Sequence, residues 1–201
     1  MATYKEIRGT NIEILSSDPS NPITGQVWYN STSNVLKGFY DNPGSWATGG
    51  TLNSARGNFA GAGIQTAGIV FGGQPPPAVA ITESYNGTNW TEVNDLNLGR
   101  MNLGGGGTQT AGLAWGGLAP SPSGGPPNGN CNQTEKWNGT NWTEVNDLNT
   151  SRRNISGAGI QTSALGFGGY QDSGGPPTSE FFALTESWNG TNWTEVNDLN
   201  Y

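Results

Sequence analysis

Histidine is absent from this chain of 201 residues, and cysteine occurs once, as Cys131. Without histidine, neither a Ser/His/Asp or Cys/His catalytic arrangement nor a Cys/His zinc site can form. A single cysteine excludes an internal disulfide, so stability has to come from packing and strand pairing. Paired carboxylates of the kind that glycosidases use remain available. Because an active site normally brings different groups together, carboxylates on identical repeats argue against one, and we expect no enzyme.

Positive charge and long apolar runs are also scarce. Eight Lys and Arg stand against 15 Asp and Glu, for a formal charge of −7, and they form no basic cluster. Attraction to phosphates dominates nucleic-acid binding, so we expect no nucleic-acid partner. No run of about 18 apolar residues exists, and the first residues, MATYKEIRGTNIEIL, are charged where a signal peptide is apolar. The sequence predicts a soluble protein without membrane insertion, made in a cytoplasm.

Glycine, proline and aromatic residues are abundant instead. The 33 Gly and 12 Pro leave few stretches free of helix breakers, which disfavours long helices. Eight Trp, six Tyr and six Phe allow a small number of positions to bury a large area each. The composition therefore predicts an all-β protein with a dispersed aromatic core.

One segment, NGTNWTEVNDLN, occurs three times without a change, at residues 86–97, 138–149 and 189–200. Each copy ends a longer unit that starts at Arg56, Arg100 or Arg152 and reaches a diglycine sixteen residues later. The Trp residues of the three copies are 52 and 51 residues apart. A period near 50 residues is typical of propellers and related repeat arrays.

The strand pattern is the same in each unit. An apolar, Gly-rich run before the diglycine predicts a strand buried on both faces. After a Pro-rich spacer of variable length, polar and apolar residues alternate on both sides of NGTN. Asn-Gly supplies the positive φ that a hairpin turn needs. Each unit therefore has room for three to four short strands.

These units resemble kelch repeats, whose blades carry a diglycine after an apolar strand, then a Glu, an aromatic residue and a Trp. The resemblance covers residues 56–200 and implies four-stranded antiparallel blades, with the aromatic pair packed between neighbouring blades. The matching positions are Gly72, Gly73, Glu83, Tyr85 and Trp90 in the first unit, Gly116, Gly117, Glu135, Trp137 and Trp142 in the second, and Gly168, Gly169, Glu186, Trp188 and Trp193 in the third.

We divide the chain into an N-terminal module, residues 1–50, and three repeats over 51–201, at about 51–97, 98–149 and 150–201. Trp46 lies ten residues before Arg56, as Trp90 lies ten before Arg100. The N-terminal module could therefore form a further blade, and four units could close a small propeller. Otherwise the array is open and its edges are completed by another copy. Both arrangements stay open here, and we expect a homo-oligomer.

The N-terminal segment PITGQVWYNSTSNVLKGFYD, residues 22–41, predicts a hairpin joined by NSTSN. It resembles short modules in tail-fibre and other virion proteins of bacteriophages that carry kelch-like repeats. The resemblance implies a structural or host-adsorption protein of a virion, made in the bacterial cytoplasm. Its partners would be other virion proteins, a host receptor or a glycan. The alternative is a free kelch-like interaction module or lectin with no virion role.

Carboxylates next to amides recur in each identical segment, and such oxygen ligands suit Ca²⁺. Their spacing is not that of an EF-hand, and Asp and Asn are ordinary turn residues. We therefore expect no cofactor, with calcium as the alternative. The calcium candidates are Glu92, Asp95, Glu144, Asp147, Glu195 and Asp198. The aromatic residues Tyr85, Trp137 and Trp188 would stack on sugars if exposed, whereas the kelch resemblance buries them.

The spacers after the diglycines differ in length and sequence while their frames stay constant, as loops on a rigid scaffold do. We predict that they form the surface that contacts host or virion proteins, and the alternative is that they are flexible linkers. Candidate binding residues on them are Pro75, Pro76, Pro126, Asn128, Phe181 and Phe182. The identity of the twelve-residue segments has two explanations, a recent duplication or several copies of one binding site whose weak affinities multiply.

Overall fold

The computed structural model describes residues 12–39, 47–75, 77–119, 129–172 and 179–200. Over these ranges the protein contains strands and no helix, so the predicted all-β class is confirmed. The chain divides into an N-terminal unit, Met1–Thr48, and a repeat unit, Gly49–Tyr201.

The N-terminal unit contains a three-stranded sheet. Its strands are β1 (Glu13–Leu15), β2 (Val27–Asn30) and β3 (Val35–Gly38). Strands β2 and β3 are antiparallel around NSTSN, which confirms the predicted hairpin, whereas β1 pairs with β2 in parallel. This mixed sheet differs from the four-stranded antiparallel sheets of the repeat unit. Residues 40–46, with Trp46, lie outside the described residues.

The repeat unit contains three four-stranded antiparallel sheets, which we call the first, second and third blades. The first blade has β4 (Ala60–Ile64), β5 (Ala67–Phe71), β6 (Thr82–Tyr85) and β7 (Trp90–Val93). The second has β8 (Gly104–Gly107), β9 (Gly112–Trp115), β10 (Thr134–Trp137) and β11 (Trp142–Val145). The third has β12 (Ser156–Ile160), β13 (Ser163–Phe167), β16 (Thr185–Trp188) and β17 (Trp193–Val196). A two-stranded hairpin, β14 (Tyr170–Asp172) with β15 (Ser179–Phe181), is inserted into the third blade.

The NGTN turn sets the register of the last two strands in every blade. In the first blade, Gly87 has φ +92°, and the Asn86 Oδ1 accepts hydrogen bonds from the backbone N–H groups of Thr88 and Asn89. This turn places Tyr85 directly opposite Trp90, with ring centroids 4.9 Å apart. The other two blades repeat the same turn, with φ +91° at Gly139 and +94° at Gly190.

The Gly-rich first strands bring the blades together, because β8 lies against both β4 and β12. A Cβ on Gly105 would lie 2.8 Å from the Phe71 ring, and one on Gly106 would lie 2.9 Å from the Gly159 carbonyl oxygen. Gly104 faces Trp115, whose indole Nε1 would be 2.2 Å from an added Cβ. The run GGGG in β8 therefore reflects close approach on both sides of the middle blade.

The hydrophobic core lies at the contacts between neighbouring blades, which we call junctions. Trp142 of the second blade packs edge-on against Phe71 of the first, with centroids 4.7 Å apart. Trp193 of the third blade packs on Trp115 of the second at 5.6 Å. One core cluster therefore fills each junction, around Phe71 and Trp142 in the first and around Trp115 and Trp193 in the second.

Candidate functional site

A buried ion pair and an asparagine repeat at the start of every blade. In the first blade, Arg56 Nη1 lies 2.7 Å from Glu83 Oε1, and both side chains are fully buried. Asn53 donates to Glu83 Oε2 from its backbone N–H at 2.7 Å and from its side chain at 2.9 Å. The equivalent sets are Asn97, Arg100 and Glu135 in the second blade and Asn149, Arg152 and Glu186 in the third.

These contacts keep the carboxylate of the first blade ionised. Burial by itself would raise the pKa of Glu83, but backbone hydrogen bonds from Asn53 and Ser54 and the Arg56 guanidinium outweigh it. The pKa of Glu83 therefore lies below its usual value. Both oxygens of this carboxylate are therefore engaged by Arg56, Asn53 and Ser54 of the same chain.

The first two diglycines lie where the next blade begins. Gly72 has φ +72°, and an added Cβ would lie 2.5 Å from the Arg100 carbonyl oxygen. The same oxygen accepts a hydrogen bond from Gly73 N–H at 2.9 Å. Gly117 N–H bonds the Arg152 carbonyl oxygen in the same way, also at 2.9 Å. The diglycine is therefore fixed by the start of the following blade as well as by its own strand.

The Trp residues of the second and third identical segments each donate a hydrogen bond across a junction. Trp142 Nε1 lies 3.0 Å from Thr82 Oγ1 of the first blade, and Trp193 Nε1 lies 3.0 Å from Thr134 Oγ1 of the second. All four side chains are buried. Each Trp thus joins its blade to the one before it through both ring packing and a directed hydrogen bond.

Amide side chains make a second set of contacts across the junctions. Gln109 donates to Ser84 Oγ at 3.0 Å and to the Tyr85 carbonyl oxygen at 2.6 Å. Asn94 donates to Asn141 Oδ1 at 2.8 Å, and the matching pair in the next junction, Asn146 and Asn192, is 2.7 Å apart. Gln161 repeats the first contact by donating to the Gly112 and Trp137 carbonyl oxygens.

Most positions of the identical segment therefore have a structural role in turns, cores or junctions. The Thr-Glu pair after the Trp is different, because its side chains are exposed in every copy. These exposed positions are Thr91 and Glu92, Thr143 and Glu144, and Thr194 and Glu195. The junctions give a structural reason why the other positions are identical in the three copies. They give none for this Thr-Glu pair, whose identity is still explained by duplication or by a repeated binding site.

The calcium candidates divide into two groups. Asp95 Oδ1 accepts a hydrogen bond from Thr82 N–H at 3.0 Å, and Asp147 and Asp198 accept the matching bonds from Thr134 and Thr185. The Glu candidates lie on the outer strands and are exposed. Within the described ranges, no group of three or more His, Cys, Asp or Glu residues could hold a metal ion.

The aromatic candidates are mostly buried. Trp137 and Trp188 are each 2% exposed and donate from Nε1 to the carbonyl oxygens of Gln109 and Gln161. Tyr85 is half-buried against Trp90. The two indole rings therefore offer no face on which a sugar could stack.

The third spacer carries the most exposed aromatic residue of the repeat unit that the structure describes. Phe181 on β15 is 75% exposed, and its ring centroid lies 5.6 Å from that of Tyr170 on β14. The Arg153 guanidinium lies over Tyr170, 4.5 Å from the ring centroid. Phe182 is half-buried beside this group. Arg153, Tyr170 and Phe181 form what we call the aromatic hairpin cluster.

The other loop candidates are less informative. Pro75 is exposed at the start of the first spacer. Pro76, and Pro126 and Asn128 of the second spacer, lie outside the described residues. Cys131 follows the second spacer and is buried and unpaired.

Sequence reasoning missed the residues that join the blades. Asn53, Asn97 and Asn149 stand three residues before the Arg of each unit, and Thr82, Thr134 and Thr185 stand directly before its Glu. These fixed offsets were visible in the repeats. Nothing in the sequence showed that Thr82 and Thr134 each face a Trp about one unit later in the chain.

The comparisons with known proteins do not assign this chain to a family. No family model matches it, and no curated protein matches it either. Among the residues described by the structure, no helix is long and apolar enough to cross a membrane.

Proposed function

We propose that this chain is a non-enzymatic recognition component of a bacteriophage virion, a tail-fibre or other tail-associated protein that binds a host receptor, a glycan or a neighbouring virion protein. Kelch-like blades form its scaffold, and the variable spacers form its binding surface. The observation that carries the recognition role is the aromatic hairpin cluster. Exposed Phe181 stands there beside Tyr170 and Arg153 on a paired strand segment.

The cluster has the chemistry of a binding surface. Aromatic and Arg side chains supply most of the affinity in many protein interfaces, because they bury large areas at low entropic cost. An aromatic face also stacks on sugar rings. The β14–β15 pairing and the Arg153 contact restrict these side chains before binding, which reduces the entropy lost on association.

The virion role is supported by the sequence resemblance of residues 22–41 to phage virion modules. In this proposal the N-terminal unit attaches the protein to the particle. In this unit Asp18 accepts hydrogen bonds from Trp28 and Asn30 on β2 and from Lys37 on β3, and these bonds stabilise the sheet. These contacts, the Lys37 bond foremost, lower the pKa of Asp18 to about 2, so the cluster stays charged over the physiological range.

Two measurements test the two halves of this proposal. Mass spectrometry of purified phage particles should find the chain in the particle, and its absence would contradict the virion role. For recognition, the purified protein is applied to a glycan array and to host cells. We expect Phe181→Ala to lose most of the signal and Leu36→Ala to retain it, since Leu36 is also an exposed apolar residue but lies in the N-terminal unit. A signal that Phe181→Ala leaves unchanged would contradict recognition by the hairpin.

A further inference from the structure

The third blade presents a junction face against which no other blade of the described residues packs. Thr185 is equivalent to Thr82 and Thr134, but its Oγ1 is buried without a hydrogen-bond partner, whereas theirs each accept a bond from a Trp. An added Cβ on Gly168 would meet nothing closer than 3.9 Å, whereas one on Gly72 would meet the next blade at 2.5 Å. The features that bind a following blade are thus present on the third blade, and no further four-stranded sheet of the described residues lies against them.

A cavity of about 610 Å³ marks the same face, lined by Leu165, Ser187, Trp188 and Asn189 among others. On the first blade the equivalent position is filled by Gln109, which bonds Ser84 and the Tyr85 carbonyl oxygen. The third-blade cavity therefore has the position and the polar groups of a site for a glutamine side chain from a neighbouring blade.

The first blade presents the complementary face. Its Trp90 is partly exposed, whereas Trp142 and Trp193 are each 5% exposed. No described residue accepts a hydrogen bond from Trp90 Nε1, and Gln65, the equivalent of Gln109, is exposed. Phe59 is 39% exposed, whereas Leu103 at the same position of the second blade is 6% exposed. No other blade of the described residues covers Trp90, Gln65 and Phe59, which are on the donor side of a further junction.

We infer that the third blade of one copy binds the first blade of a second copy, through the same contacts that join blades within the chain. Trp90 of one copy donates to Thr185 of the other, and Gln65 enters the cavity beside Trp188. Asn197 pairs with Asn89, as Asn94 pairs with Asn141. Such a head-to-tail contact is heterologous and closes into a ring when the rotation allows it.

The number of copies follows from the number of blades. The described residues of one copy supply three blades and those of two copies supply six, within the range of about four to eight blades that closed propellers have. Three copies would exceed that range. The inferred assembly is therefore a ring of two copies with two identical junctions between them.

One segment has to move for this junction to form. Asn53 binds Glu83 and the Trp90 carbonyl oxygen, which is the place that Asn97 and Asn149 hold on the following blades. Residues 50–53 therefore already lie where 197–200 of a second copy would lie. The second copy brings Asn197 to the position of Gly50, adding the Asn–Asn bond that Gly50 cannot make. We infer that residues 197–200 displace 50–53, with Asn200 replacing Asn53 on Glu83.

This inference does not depend on the virion role or on the aromatic hairpin cluster, since it uses only the two end faces. Cysteine crosslinking tests it in the full-length protein. Asn89→Cys and Asn197→Cys are made separately, mixed and treated with a short bis-maleimide. The native Cys131 does not interfere, because it is fully buried and burial raises the pKa of its thiol. The control is the double variant Asn94→Cys/Asn141→Cys, which places the same pair within one chain.

We expect the mixture to form a covalent dimer and each single variant alone to form none. A chain that carries both Asn89→Cys and Asn197→Cys should crosslink no further than two copies. Crosslinking in the control but not in the mixture would overturn the inference. A ladder of longer species would overturn the closed ring, and a crosslink formed within one chain would show that the faces join without a second copy.

Thr185→Val gives an independent readout. It removes the acceptor for Trp90 of the second copy, so we expect dimerisation to weaken about tenfold. The free energy of unfolding of the separated chain should not fall, because Thr185 Oγ1 has no hydrogen-bond partner among its described residues. Unchanged dimerisation would contradict the inferred junction.

Discussion

Replacing Thr134 by valine tests the contact on which each junction depends. Thr134 Oγ1 lies 3.0 Å from Trp193 Nε1, and the two side chains are 0% and 5% exposed. Valine keeps the shape of threonine but removes the acceptor. The indole N–H then stays buried without a partner, which costs about 1–3 kcal/mol. We expect the free energy of unfolding to fall by that amount, while the strand pairing of β10 is retained.

The assay is urea denaturation followed by circular dichroism, with Thr143→Val as the matched control. Thr143 lies on the neighbouring strand β11 in an identical segment, but its side chain is exposed, so we expect a change within about 0.5 kcal/mol. The same Thr134→Val change on a Trp193→Phe background should cost less, by about 1 kcal/mol, because the donor is gone. Equal losses in both backgrounds, or a control as damaging as Thr134→Val, would refute the reasoning.

Three further changes test other parts of the array. Asn149→Ala removes the side-chain hydrogen bonds to the buried Glu186 carboxylate and to the Trp193 carbonyl oxygen, while the backbone N–H of residue 149 still donates to Glu186. It should lower the free energy of unfolding by about 1–3 kcal/mol, more than Asn146→Ala, which removes an exposed bond; equal thermal shifts would contradict this. Because the pKa of Glu83 is lowered in the folded state, its stabilisation is present above the unfolded pKa of about 4.3 and is lost as pH falls through the folded value. Glu83→Gln should therefore flatten the acid side of the curve of stability against pH, and an unchanged curve would count against it. Gly104→Ala places a Cβ against Trp115 and should lower the free energy of unfolding by about 1–3 kcal/mol through overpacking. Adding Trp115→Phe should restore stability, because the first blade has Ala60 opposite Phe71 at the same positions. Failure of this rescue would show that another contact requires the glycine.

The blade scaffold was predictable because its signals are local. Two such signals are a diglycine after an apolar run and Asn-Gly between alternating strands. Each signal depends only on the φ values and the side-chain alternation of neighbouring residues. The turn at Gly87 and the positive φ of Gly72 are where the repeats place them. The β2–β3 hairpin followed from the same kind of signal.

The junctions were not predictable from the same signals, because they join residues far apart in the chain. Thr82 and Trp142 are separated by 60 positions, and neither carries a local signature of its partner. The parallel pairing of β1 with β2 likewise joins segments that are not adjacent in the sequence. Tyr170 and Phe181 of the aromatic hairpin cluster lie in a spacer whose composition predicted a loop, although two short strands pair there.

The contacts across the junctions give a physical reason for the identity of the repeated segments. Asn94 of the first segment donates to Thr140 and Asn141 of the second, so a change in one copy requires a matching change in its neighbour. Duplication supplies matched copies at once. The exposed Thr-Glu pairs have no such constraint, and they are the positions where a repeated binding function would be sought.

The most direct test of the account is the mass of the purified full-length protein by light scattering, over a range of concentrations and with and without EDTA. If the two end faces complete one another, the mass reaches twice the chain mass of 21.0 kDa at high concentration. EDTA should leave it unchanged, because Asp95, Asp147 and Asp198 bind backbone N–H groups of their own blades. A mass of 21.0 kDa at every concentration would contradict the account, and an oligomer lost in EDTA would show that a metal ion holds the copies together.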